Sequence, residues 1–126
     1  AHGVHLGTKD LPIDTVRRLV GHGMLIGAST HNLTEARRAT KAGADYCGIG
    51  AVFATTTKTR QPSGLDYIRR FVRDFPDQPH LAIGGINADN IADVVKAGAN
   101  AVAVSGCVCR AKRPATVVRK LLGALR

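Results

Sequence analysis

The chain has 126 residues, 44% hydrophobic and 21% charged, which excludes a disordered or collagen-like polymer and fits one globular domain spanning 1–126. No apolar run approaches the roughly 18 residues that cross a bilayer, so a membrane span is excluded. Eighteen Lys and Arg against nine Asp and Glu give a formal charge of +9 and a field that favours anions, either phosphorylated metabolites or nucleic acid.

The first residues, Ala1-His2-Gly3, lack an initiator Met and a basic leader, so they read as a cut end and not as a signal peptide. Gly3–Gly7 is the first strand candidate, short and apolar enough to be buried on both faces. Asp10-Leu11-Pro12 then supplies a cap and an early proline for a helix whose apolar positions are Ile13, Val16, Leu19 and Val20, ending near Gly21 or Gly23. A second strand is expected over Leu25–Thr30. After it, Asn32 with Glu35 three residues on forms a capping-box pattern, and the helix should turn Leu33, Ala36 and Thr40 inward before stopping at Gly43.

Tyr46–Phe53 is the third strand candidate, followed by a polar loop from Thr55 to Arg60 that reads as an active-site lid. A helix from about Ser63 should bury Leu65, Ile68, Phe71 and Val72, solvate Arg69, Arg70 and Arg73, and end before Pro76. His80–Ile86 is the fourth strand, followed by a helix burying Ile91, Val94 and Val95. Ala101–Ser105 is the fifth, followed by a helix carrying Val117, Val118, Leu121 and Leu122. Lys41-Ala42-Gly43-Ala44 returns as Lys96-Ala97-Gly98-Ala99, as expected where two helices rejoin a sheet through one type of turn.

Cys47, Cys107 and Cys109 sit in apolar runs without C-x-x-C pairs, so they read as reduced core residues of a cytoplasmic protein. Strands separated by helices imply parallel pairing. Five βα units fit the length of an open flavodoxin-like sheet, yet five similarly apolar strands suit consecutive staves of a barrel.

In either fold the residues just after each strand meet at one end, where ligands bind. Here those stretches are Gly7–Asp10, Ser29–Asn32, Ala54–Lys58, Gly84–Asn87 and Ser105–Cys107, rich in glycine and hydroxyls, with a lysine in two of them. Small residues admit main-chain N–H groups to an anion, hydroxyls donate to it, and lysine adds a full charge, so phosphate binding is the natural inference. Asp10 is a helix cap or a metal carboxylate by spacing. His5, His22, His31 and His80 are scattered and read as structural.

At this point six motifs, in order and at the expected spacings over nearly the whole chain, resemble thiamine-phosphate synthase. They are Gly3-Val4-His5-Leu6-Gly7-x-x-Asp10, Ile26-Gly27-Ala28-Ser29-Thr30-His31, Gly43-Ala44-Asp45-Tyr46-x-Gly48-x-Gly50, Val52-Phe53-x-Thr55-x-Thr57-Lys58, Ala82-Ile83-Gly84-Gly85-Ile86 and Ala97-Gly98-Ala99-x-x-Val102-Ala103-Val104. The resemblance implies an α/β fold, the (β/α)8 TIM barrel, of which this chain supplies about five βα units with the N-terminal units absent. It implies a transferase of thiamine biosynthesis that joins hydroxymethylpyrimidine diphosphate to a thiazole phosphate, with Mg2+, releasing pyrophosphate. By the same resemblance Asp10 is the metal ligand, and Ser29 and Lys58 are catalytic contacts to the pyrimidine diphosphate. Thr55, Thr57, Gly85, Ser105 and Gly106 cradle the thiazole phosphate, with Thr56 in the same loop.

This sequence departs from the pattern at Ala54, where a proline is common, and at Ser105-Gly106, which keeps main-chain groups but no hydroxyl at Gly106. The family's diphosphate clamp and second metal carboxylate belong to the absent strands, so the 126 residues alone are not expected to catalyse. Upstream residues or another copy should complete the barrel. Two other functions compete. A thiazole tautomerase shares the fold but carries a His where Ala51 stands, and a nucleic-acid module is disfavoured because the cations are spread over several helices and only five aromatics exist to stack bases.

Overall fold

A computed structural model describes residues 1–54 and 61–126. Among them the elements run β1 (Gly3–Leu6), α1 (Ile13–Val20), β2 (Leu25–Thr30), α2 (Leu33–Lys41), β3 (Tyr46–Gly50), α3 (Gly64–Asp74), β4 (His80–Ile83), α4 (Ile91–Lys96), β5 (Val102–Ala103), α5 (Gly106–Cys109) and α6 (Pro114–Ala124). Each strand pairs in parallel with the next, in the order β1-β2-β3-β4-β5. That order decides between the two architectures left open by length. A flavodoxin-like sheet reverses at a switch point, whereas barrel staves step round in one direction. With right-handed crossovers at each step, the helices gather on one face.

Burial follows the period of two. Ile26, Ala28 and Thr30 of β2, Cys47 and Ile49 of β3 and Ala82 of β4 face the helices and are buried. The registers His5↔Gly27, Ser29↔Gly48 and Gly50↔Ile83 place the alternate residues on the other face. On that face Leu25 is 55% and Ile83 45% exposed, because five staves leave the barrel interior open.

The helix-side core centres on α3, which buries Tyr67, Ile68 and Phe71 on one stripe. The Phe71 ring lies 5.2 Å from Phe75, 5.4 Å from His80 and 6.2 Å from Tyr67, the last edge-on. Such pairs add about 0.5–1.5 kcal/mol beyond area burial. At the opposite end of the strands from the predicted site, Asp45 accepts from the Ile26 N–H at 2.6 Å and from Arg17 at 2.5 Å. Arg17 also donates to Met24 O and Gly21 O, clipping α1 to β2 and β3.

Several expectations change in detail. Asp10 does not cap α1: Pro12 occupies that position without a side-chain cap bond, and Asp10 turns back to accept the Gly7 N–H at 2.6 Å. Asn32 does cap α2, accepting from Glu35 N–H at 2.9 Å, but the Glu35 carboxylate reaches past Asn32 N–H to that of His31. Strand β4 stops at Ile83 because Gly84 and Gly85 take φ of +100° and +67°, outside extended backbone. On α6 only Leu121 is buried, while Val118 and Leu122 are largely exposed. Of the thiols only Cys47 is a buried core residue, and Cys109 is exposed. Helix α5, four residues long, gave no periodicity to read.

Candidate functional site

The carboxyl ends of the strands build the site. From β1, the Asp10 carboxylate closes the turn by accepting from Gly7 N–H, while Asp10 N–H donates to Gly7 O at 3.1 Å. On the open inner face, the His5 ring bridges two hydroxyls, with Nε2 2.9 Å from Ser29 Oγ and Nδ1 3.0 Å from Tyr46 Oη. A neutral imidazole donates at one nitrogen and accepts at the other, so the three groups share one proton order. Glycines create the room. A Cβ at Gly27 would overlap the Tyr46 ring, and one at Gly48 would stand 3.1 Å from His5 Cε1.

After β2, His31 Nδ1 lies 2.8 Å from Glu35 Oε2, and the His31 main-chain N–H donates to the same oxygen at 2.9 Å. Partial burial pushes the Glu35 carboxyl up, but the bonds from the His31 ring and main chain outweigh it and hold the group below its ordinary value. Behind this pair, buried Tyr67 donates to Thr30 Oγ1 at 2.7 Å; burial raises its phenol above the usual range.

After β4, a chain of side-chain bonds fixes the turn. Asn90 Nδ2 donates to Gly85 O at 2.9 Å, Asn90 Oδ1 accepts from Asn87 N–H, and Asn87 Oδ1 accepts from Asp89 N–H. Gly85 is required twice over: its φ is positive, and an added Cβ would stand 2.7 Å from both Ala54 O and Phe53 Cβ.

These ends surround a cavity of about 470 Å³ whose lining includes Ser29, Gly85, Ser105 and Gly106, four of the residues singled out in the sequence. Asp10 is not in its lining. Thr55, Thr56, Thr57 and Lys58 lie outside the described residues, though the flanking Ala54 reaches the cavity. The structure adds His31, Asn87 and Arg110 to the lining. His31 and Asn87 stood in the post-strand stretches and could have been named there. Arg110 had no signal, because nothing in the sequence announced α5.

Two hydroxyls, a carboxamide, an imidazole and a guanidinium around small residues make a cavity suited to an anionic, hydrogen-bonding ligand. For a divalent cation the donor set is sparse, since no group of three His, Cys, Asp or Glu among the described residues could hold one. Asp10 is exposed, and only its Oδ2 is engaged by the Gly7 N–H. It fits magnesium as one hard oxygen ligand, with substrate phosphates and water supplying the others.

The family model described as thiamine monophosphate synthase matches residues 1–108. A thiamine-phosphate synthase of Chloroflexus aurantiacus is 47% identical over 123 residues, covering 96% of this chain and 56% of that protein. A solved thiamine phosphate pyrophosphorylase from Pyrococcus furiosus superposes with a TM-score of 0.90 at 38% identity, over 99% of this chain and 59% of that one. The 3-hexulose-6-phosphate synthase of Salmonella typhimurium, at 21% identity and a TM-score of 0.75 over 99% of this chain and 62% of its own, shares the fold alone. The chain spans 33% to 56% of the length of these curated relatives. By sequence over most of its length and by the course of its five staves, the chain belongs to the thiamine monophosphate synthase family.

Proposed function

We propose that the intact protein joins hydroxymethylpyrimidine diphosphate to thiazole phosphate, giving thiamine phosphate and pyrophosphate in the cytoplasm. The observation that carries this reading is the cavity at the strand carboxyl ends, where Ser29, Gly85, Ser105 and Gly106 converge in a member of this family.

The bond between the pyrimidine methylene and the diphosphate oxygen breaks first, and the thiazole nitrogen captures the resulting cation. No strong base is needed; what lowers the barrier is stabilisation of the departing diphosphate. Ser29, its hydroxyl held by His5, donates to that diphosphate. Lys58 brings an ammonium to the same oxygens, and Thr55, Thr56 and Thr57 bring hydroxyls to the thiazole phosphate. Gly85, Ser105 and Gly106 present main chain to that phosphate, with no side chain at either glycine to keep it away. Asp10 would hold magnesium, which when bound neutralises charge on the diphosphate.

No helix among the described residues is long and apolar enough to cross a membrane. The three free thiols suit a reducing compartment. The remaining staves come from additional chain or from a second copy. The test supplies both substrates and magnesium to the intact protein. Thiamine phosphate formation supports the reading, and thiazole tautomerisation without it replaces the reading with the related isomerase activity.

A further inference from the structure

Arg110 is the one residue with a permanently charged side chain among the described residues that line the cavity. It stands four residues after Gly106 as the C-cap of the short α5, and its guanidinium folds back over that glycine. A Cβ placed on Gly106 would lie 2.8 Å from both Cζ and Nη1 of Arg110 and would overlap Nη2. The glycine and the arginine are therefore matched, since any side chain at 106 would push the guanidinium out of its place at the β5 end. Ion pairs among the described residues involve Arg17, Arg18, His31, Arg70 and Arg73, and none engages Arg110. Arg110 is exposed, so holding it here is not a matter of core packing.

We propose that Arg110 is a specificity-determining residue: its guanidinium grips the phosphate of the phosphorylated thiazole substrate beside Gly85, Ser105 and Gly106. The planar fork can donate two parallel hydrogen bonds to one phosphate, which a point charge or a main-chain amide does not. The inference rests on the synthase reading for the identity of that substrate, but not for the anion itself. The partner is a phosphate monoester: the fork meets two of its oxygens, and the small residues around it leave space for the ring that the ester carries.

The experiment compares wild type, Arg110→Ala, Arg110→Lys and Gly106→Ala in the intact protein by steady-state kinetics. Arg110→Ala should raise KM for thiazole phosphate about tenfold or more, with kcat changed less than about threefold, because the contact persists from ground state to transition state. The unphosphorylated thiazole alcohol should react equally poorly with wild type and Arg110→Ala. Arg110→Lys should recover part of the loss, and Gly106→Ala, which displaces the guanidinium without removing it, should mimic Arg110→Ala. An unchanged KM for thiazole phosphate, or a rise confined to KM for the pyrimidine diphosphate, overturns the proposal while leaving the synthase reading intact. If wild type makes no thiamine phosphate, that reading fails. Titration with inorganic phosphate then tests the residue alone: weaker binding by Arg110→Ala supports the anion grip, and equal binding ends it.

Discussion

His5 Nε2 lies 2.9 Å from the Ser29 hydroxyl, across the β1–β2 pair on the open inner face of the sheet. Because Nδ1 of the same ring meets Tyr46 Oη at 3.0 Å, the orientation of Ser29 depends on two strands beyond its own. His5→Ala should therefore lower kcat in the intact protein by about ten- to a hundredfold, the scale of a mispositioned catalytic group, while the fold persists because His5 lies outside the helix-side core. Steady-state turnover alongside a thermal melt checks this. Tyr46→Phe should give a smaller loss in the same direction.

Lys58→Ala and Asp10→Asn should each abolish measurable turnover without unfolding the protein. Asn retains an oxygen that can accept the Gly7 N–H, so the turn after β1 should survive Asp10→Asn. Steady-state turnover alongside a thermal melt checks both variants. Full activity in both variants would refute the site assignment.

Gly85→Ala should destabilise the protein by about 1–3 kcal/mol through its positive φ alone, with more from the crowding against Ala54 O and Phe53 Cβ. Denaturant unfolding measures it. Gly43→Ala tests the first term alone, because its φ is +86° and nothing stands within 4 Å of the added Cβ.

The five βα units, and Ile68 and Phe71 on the helix-side stripe of α3, were legible in the sequence because apolar spacing is a local signal. So was the Asn32 cap, which acts over three residues. The strand ends were less so. The turn after β4 depends on Gly84 and Gly85 taking positive φ, and α5 is a four-residue helix too short to leave a period. The His5–Ser29–Tyr46 bridge was invisible for another reason: its members are 24 and 41 residues apart, and only the sheet register brings them together. Arg110 stayed hidden because its place is set by an absent side chain at Gly106.

Among the thiols, burial pushes Cys47 up to about 11, so at pH 8 it should not react with a thiol reagent until the protein unfolds. Exposed Cys109 should react in the native state. Mass spectrometry of the labelled native and denatured protein assigns each site.

Asp45 sets a pH dependence of stability. The Ile26 N–H bond lowers its carboxyl below the ordinary 3.8, burial opposes this, and the hydrogen bond and charge of Arg17 lower it further. A group with a depressed folded-state value stabilises above the unfolded value and loses that contribution as pH falls through the folded one. Urea midpoints should therefore fall below about pH 4 in wild type. In Asp45→Asn they should start lower at neutral pH and fall less with acid.

The most direct measurement is a crystal structure of the intact protein with thiazole phosphate bound. The account predicts the phosphate against Gly85, Ser105 and Gly106, at the carboxyl ends of β4 and β5. A phosphate bound at the opposite end of the strands, near Arg17 and Asp45, would contradict it.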